Sequence, residues 1–536
     1  MIMTKLRHFF SEHKLILSLL LLAACARFIK LDSLPNGVYP DEAYNAYNTW
    51  SLMSQGVDSR GYHAPVYFTA WGSGMNALYA YLALPLFRIF GTGITVFRLP
   101  QALVSLASVY AFYLLGQELF NRKTGCFMAF VLAINPWSIM NARFGLESTL
   151  APGMLLFAFT FLVLGLKKNP RCLFLSALFM AASLYGYSLT WIALPVILIL
   201  TLLLYRKRIP FQPVTALSAA LLFLAAIPLL LFLAVNLDLI DEIATPVFSV
   251  PRLPVFRGEE LAPRYILQNM KSLFQIILSQ YDGASHTSSS LTGAYYLFTT
   301  PFCLLGIVIH MVKFFKSYKR GDNDLQYLFL LWLAGASVVA LLQKNMTMIH
   351  INLIHIPFIF YGVYGIIQAA YYAKSRLILP ACLIFFSISF VWFVYDYGTQ
   401  PDTHFYGDTA EDALNLAKNM AMPEQNITIV GYTTIQCGTW MWFEKPDPID
   451  FSSNVVYIDD PAWGQIGSYG RFRYVYSIDS ITGEDIYICP NNSMHLEKLT
   501  DMGLTVIPVN DRYLIAGMNL PLQDAQTVQN HIEPSY

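Results

Sequence analysis

Residues 213–235 read PVTALSAALLFLAAIPLLLFLAV, a stretch without one charged side chain. A helix needs about 20 mainly apolar residues to cross the hydrocarbon core of a bilayer, so this stretch reads as a membrane span. Working outward from it, comparable stretches run at 15–30, 97–119, 126–141, 150–166, 172–188, 189–205, 294–312, 325–342, 351–373 and 377–395. Together they make about eleven crossings by the same length criterion. Composition agrees: 56% of the 536 residues are hydrophobic and 13% charged, where a soluble domain carries about 25% charged residues. Lys+Arg and Asp+Glu balance at 34 each, so no basic field points to nucleic acid. Seven cysteines without a CxxC spacing form neither a disulfide framework nor a zinc scaffold.

Positive charge orients the spans, because cytoplasmic loops collect Lys and Arg. The clusters are Lys5/Arg7/Lys14, Arg122/Lys123, Lys167/Lys168/Arg171, Arg206/Lys207/Arg208, Lys313/Lys316/Lys319/Arg320 and Lys374/Arg376. With eleven crossings and a cytoplasmic N-terminus, every cluster falls inside. The apolar run 75–90 would reverse all but the first if it crossed, so it is expected to be interfacial or re-entrant. The chain is thus expected to be a polytopic α-helical protein of the cell membrane. Its transmembrane part covers 1–396 and holds an external loop at 31–96. A small extracytoplasmic α/β domain follows at 397–536, where short apolar runs (Ile427–Val430, Tyr474–Ile478, Ile486–Ile488) alternate with helix-like stretches. Cys437 and Cys489 lie in this tail and could pair in an oxidising exterior.

The spans carry no acidic residue near their centres, which counts against a pump or symporter. Polar residues gather at the external helix ends instead. Tyr39-Pro40-Asp41-Glu42 follows the first span. Its paired carboxylates suit proton abstraction from a hydroxyl or cation binding, and equally a helix start whose acids complement the dipole. Arg143 and Glu147 follow Asn135-Pro136-Trp137 at the next external turn. Arg143 could hold a phosphate, or pair with Glu147 four residues on. His350 and His355 enter the tenth span from outside and could steady a phosphate or act as structural hydrogen-bonding groups. Asp282-Gly283 is first a turn signal, with a loop closing over substrate as its functional use.

In order and placement these residues resemble the polytopic glycosyltransferases of the GT-C superfamily. The branch is that of the protein O-mannosyltransferases and the aminoarabinose transferase of lipid A, and within it bacterial dolichyl-phosphate-mannose-protein mannosyltransferase-like proteins. The resemblance rests on Asp41-Glu42, on Gly56 with Asp58 and Gly61, and on Trp71-Gly72-Ser73-Gly74. It continues through Arg98-Leu99-Pro100, Ile134-Asn135-Pro136-Trp137, Arg143-Phe144-Gly145-Leu146-Glu147 and Tyr281-Asp282-Gly283. It covers 1–395 well and the tail loosely. Relatives often carry Asp where Glu147 stands and a basic residue near His350. The resemblance implies a GT-C fold and transfer of a sugar, such as mannose, from a polyprenyl-phosphate carrier in the membrane lipid. The acceptor would be a hydroxyl on a protein, a lipid or a cell-wall glycan, with inversion at the anomeric carbon. Asp41 would be the general base and Glu42 would orient the acceptor, hold the geometry or help bind a metal. Arg143, His350 and His355 would meet the donor phosphate, with Glu147 and Asp282 among the substrate contacts. A divalent cation on Asp41, Glu42 and Glu147 is left open, without an obligatory metal. The competing class, a transporter or lipid flippase, would show repeated halves and buried charges. The sequence offers no repeat, although Pro195 and Pro228 interrupt helices.

Overall fold

The computed structural model describes residues 2–35, 37–70, 73–283, 287–399, 408–431, 433–458, 466–510, 512–518 and 520. A long first helix, α1 (Ile2–Phe28), leads through a loop into α2 (Pro40–Gln55), the β1–β2 hairpin (Tyr67–Ala70, Ser73–Asn76) and α3 (Leu78–Phe90). The bundle continues with α4 (Ile94–Leu119), α5 (Arg122–Ile134), α6 (Pro136–Ala142), α7 (Leu150–Lys167), α8 (Cys172–Gly186), α9 (Thr190–Tyr205) and α10 (Pro213–Asn236). After a two-strand ladder, β3 (Ile243–Ala244) with β4 (Ser249–Val250), come α11 (Ile266–Ser279), α12 (Thr300–Lys319), α13 (Leu328–Leu342), α14 (Asn352–Tyr372) and α15 (Ile378–Thr399).

Each of the eleven apolar stretches falls on helix. Seven helices among the described residues are long and apolar enough to cross a membrane, eight if α5 and α6 count as one span bent by 59°. The bend has a local cause. Pro136 cannot continue the hydrogen-bond ladder of α5, and the Asn135 side chain caps the new helix by accepting from Ser138 N at 3.0 Å. α8 and α9 are apolar but shorter, and α3 is shorter still; its thirteen residues reach about 20 Å, short of a bilayer core. α12 and α14 approach closely enough that a Cβ on Gly365 would lie 1.8 Å from Phe302 O. Small residues at helix crossings permit such backbone contact.

The C-terminal part is a seven-stranded mixed sheet in the order β10-β11-β9-β5-β8-β7-β6. Its strands are β5 (Ile427–Val430), β6 (Val456–Tyr457), β7 (Ile466–Tyr469), β8 (Phe472–Val475), β9 (Ile486–Pro490), β10 (Thr505–Pro508) and β11 (Tyr513–Gly517); β5 runs parallel to both β8 and β9. Helices α16 (Asp408–Met420), α17 (Thr433–Glu444), α18 (Pro448–Asn454) and α19 (Ser493–Asp501) complete it. One face of the sheet packs directly on α2: Tyr44, Tyr47 and Leu52 share an apolar cluster with Trp440, Met441, Phe451, Ile427 and Ile429. A fully buried side chain of this size stabilises by about 1.5–3 kcal/mol, so the sheet is fastened to α2. Cys437 belongs to that cluster, whereas Cys489 sits in the cluster on the other side of the sheet. The pairing left open in the sequence is not made: both thiols are free and buried, on opposite sides of the sheet.

Candidate active site

The site begins at the α1–α2 loop, where three buried arginines meet the ends of helices. Arg143 donates to the carbonyls of Leu34, Ala26, Ile29 and Lys30 at 2.6–2.9 Å. These are the last carbonyls of α1 and the turn behind it, which have no partner within a helix. Arg27 does the same for the broken end of α5, donating to Leu132 O and Ala133 O and to the hydroxyls of Ser105 and Ser138. Arg98, in the first turns of α4, grips Leu31 O, Pro35 O and Gly37 O.

Arg98 also forms a two-point pair with Glu42, Nε to Oε1 at 2.8 Å and Nη2 to Oε2 at 2.9 Å, with both side chains fully buried. Glu42 Oε1 accepts a further bond from Gly145 N at 2.8 Å, and Oε2 one from Tyr39 N at 3.4 Å. Gly145 is required there by space: a Cβ would stand 2.6 Å from the Phe97 ring and 2.9 Å from Glu42 Oε1. Glu42 thus ties the start of α2 to α4 and to the 143–147 turn.

That brace leaves the neighbouring carboxylate facing elsewhere. Asp41 lines a cavity of about 950 Å³ together with Tyr39, Glu147, Glu260, Asp282, Thr347 and His350. Trp191, Ile192, Phe232, Leu233, Leu253 and Phe256 also line it. Among these, Tyr67, Trp191, Phe232 and Phe256 form one aromatic cluster, with Tyr67 and Phe232 centroids 4.6 Å apart. Burial, reinforced by the Asp41 and Glu147 carboxylates, pushes the Tyr39 phenol above its ordinary value. No Lys or Arg lines the cavity among the described residues.

Asp282 closes one side of the cavity by accepting from Met348 N at 2.7 Å, which joins the 280s loop to the segment before α14. In that segment His350 donates from Nδ1 to Asn345 O at 2.5 Å. His355 lies deeper and fully buried, its Nε2 donating to Met348 O at 2.9 Å and its Nδ1 accepting from the Tyr295 hydroxyl. Its ring packs on Trp137 at 4.5 Å.

Of the residues singled out in the sequence, Asp41, Glu147, Asp282 and His350 therefore share one cavity. Glu42, Arg143 and His355 do not line it. Arg143 donates to backbone carbonyls. His355 is committed on both nitrogens. Glu42 braces the start of α2 through Arg98 and Gly145 N. It is also unsuited to the oxygen-rich cation site: both of its oxygens are engaged, and no group of three or more His, Cys, Asp or Glu side chains is placed to hold a metal among the described residues. Arg98 was quoted only as part of a motif. The signal that marks it is a charged residue at the mouth of an apolar span, which is costly unless paired. Trp71-Gly72, also singled out, lies outside the described residues.

This fold, a helical bundle followed by a β-rich C-terminal domain, has counterparts among solved structures. Residues 77–232 match the family model described as dolichyl-phosphate-mannose-protein mannosyltransferase. The chain is similar across 94% of its length, and 98% of theirs, to the crystal structures of ArnT from Cupriavidus metallidurans. The apo form gives a TM-score of 0.57 at 13% identity and the form bound to undecaprenyl phosphate 0.57 at 12%. The apo oligosaccharyltransferase of Archaeoglobus fulgidus gives a TM-score of 0.51 at 12% identity, over 82% of this chain and 64% of that one. No curated protein sequence matches the chain. At the level of fold, the resemblance read from the residues holds.

Proposed function

We propose that this protein transfers a sugar from a polyprenyl-phosphate carrier to an acceptor hydroxyl at the extracytoplasmic face of the membrane. The observation that carries the reading is the mixed lining of one cavity, which holds the Asp41 carboxylate together with an apolar cluster of Trp191, Phe232 and Leu253. A lipid-linked donor needs both, because its carrier stays in lipid while its sugar meets water and an acceptor. The likeness to a structure solved with undecaprenyl phosphate supports the carrier.

In this reading Asp41 takes the proton of the acceptor hydroxyl as its oxygen attacks the anomeric carbon. The bond from that carbon to the phosphate oxygen breaks, and its electron pair leaves with the carrier phosphate. His350 is the described lining residue able to carry positive charge. Held by Asn345 O through Nδ1, a protonated ring presents Nε2–H to the phosphate as charge builds there. Glu147 and Asp282 contact sugar or acceptor hydroxyls. Glu42 and Arg98 fix the position of Asp41.

The test is transfer from radiolabelled polyprenyl-phosphate hexoses in membranes containing the full chain, compared with membranes lacking it. Carrier-dependent incorporation into a protein, lipid or glycan fraction supports the reading and names the acceptor class. Release of label only as translocated, unreacted carrier would replace it with a flippase.

A further inference from the structure

A small pocket adjoins the large cavity at the turn that carries Glu147. It has a volume of about 20 Å³ and shares Leu146, Ser148, Thr287 and Ile349 with the cavity lining. One water-sized group needs about 10–15 Å³, so the pocket admits a single small substituent.

Its lining has two characters. Trp137, Phe144 and Met348 give it an apolar wall, and Asn141, Thr149 and Asn352 give it neutral polar groups. No charged side chain lines it among the described residues. The two amides hold the turn with their nitrogens. Asn352, only 3% exposed, donates from Nδ2 to Ser148 O at 3.1 Å, and Asn141 donates from Nδ2 to Thr149 O at 3.3 Å. Neither side-chain oxygen accepts a hydrogen bond among the described residues. A buried amide oxygen without a donor is costly, so the pocket fits a group that brings one O–H.

A hydroxymethyl group has this chemistry: a methylene for the apolar wall, one hydroxyl for an amide oxygen, and no charge. Its place in the reaction follows from the sugar ring. In a hexopyranose the carbon that bears the phosphate and the carbon that bears the hydroxymethyl are both bonded to the ring oxygen, so the two substituents flank one edge of the ring. His350, which faces the donor phosphate in the transfer reading above, is two residues from both Met348 and Asn352 of the pocket wall.

We infer that this pocket is the donor-sugar subsite for a neutral hydroxymethyl substituent, and that Asn352 reads its hydroxyl. The inference rests on the transfer reading and adds to it a choice among donors. A carboxylate or an ammonium in the pocket is buried without a counter-charge, which excludes uronic acids and sugars aminated at that carbon. Pentoses leave the pocket unfilled.

The test uses the full chain in proteoliposomes with matched donors, polyprenyl-phosphate mannose against lyxose and glucose against xylose. Within each pair the sugars differ only by the hydroxymethyl. In at least one pair kcat/KM for the hexose should exceed that for the pentose by about tenfold or more, the discrimination a shaped pocket draws from one carbon group. Asn352→Leu should bring that ratio close to one. The parent's ratios need no variant, so a poorly folding Asn352→Leu leaves the test standing. Hexose and pentose transferred alike by the parent would overturn the subsite while leaving transfer established. So would an Asn352→Leu variant that slows both donors in step and keeps the ratio. Transfer from none of the four donors would sink the transfer reading, and the subsite with it.

Discussion

The α1–α2 loop and the cavity beside it are built from the same residue types used in opposite ways. In the loop, Arg27, Arg98 and Arg143 are buried and spend their donors on helix-end carbonyls, a hydroxyl pair and one carboxylate. In the cavity, Asp41, Glu147, Glu260 and Asp282 meet an open space with no Lys or Arg on the described lining. Arginines thus serve architecture, and carboxylates line the cavity. The division runs between adjacent residues: Glu42 is neutralised by Arg98 while Asp41, one residue earlier, lines the cavity. The clamp on Glu42 fixes the backbone from which Asp41 reaches the cavity.

The sharpest way to break this comparison is to treat the two neighbours alike. Asp41→Asn should reduce transfer by about 10²–10⁴-fold, the range for a positioned general base, with expression and melting temperature unchanged. Glu42→Gln should lower melting temperature as well as transfer. Initial rates and thermal melts on both variants decide the matter; a stable, inactive Glu42→Gln beside an active Asp41→Asn would exchange their roles. Next in size is Arg98→Met. It leaves Glu42 buried without its partner, a change that costs about 3–5 kcal/mol, and should appear as a lowered yield of folded protein and a depressed melt in detergent.

On the cavity side, His350→Gln removes the one described lining group able to become cationic. A hydrogen bond to a charged group is worth about 1.5–3 kcal/mol, so kcat/KM for the lipid-linked donor should fall roughly tenfold to a hundredfold while the melt stays put. An unchanged kcat/KM would assign the phosphate to another group. Gly145→Ala tests the clamp in the same size range. Its Cβ would crowd Phe97 and Glu42 Oε1, and overpacking of this kind costs about 1–3 kcal/mol. Lowered melting temperature with transfer loss in step would place Gly145 in the brace; a melt equal to the parent's would show that the turn relaxes freely.

Much of this was legible in the chain. Apolar runs near 20 residues announced the helices because lipid leaves a backbone few alternatives, and 427–430 announced a strand by its length and composition. Asp41 could be singled out because its carboxylate pair follows closely on the first span, where the external loop begins. What could not be read is which acid of the pair would be neutralised, since Arg98 lies 56 residues away and the contact is made by folding. The contacts of Arg143 and His355 were hidden for the same reason: their partners include the carbonyls of Ala26 and Met348, and backbone groups are invisible to any reading of residue types.

Asp58 is a third kind of carboxylate, and it allows the smallest and most specific test. It is buried, with Oδ1 accepting from Arg60 N and Tyr62 N at 2.9 Å each and Oδ2 without a hydrogen-bond partner. Burial outweighs those amides and the Arg60 charge, and pushes its carboxyl up to about 6. A carboxyl raised on folding favours the protonated folded state, so its contribution is fully present below the unfolded value near 4 and is lost as pH rises through about 6. Relative to Asp58→Asn, the parent's melting temperature should therefore decline between about pH 4 and pH 6 and run level above that, a change worth at most about 3 kcal/mol. Subtracting the variant's curve removes the other carboxylates, which titrate in both proteins. Parallel curves across that window would mean that Asp58 stays ionised in the folded protein, with charge compensation reaching Oδ2; the loop would then resemble the clamp, where every buried charge is answered.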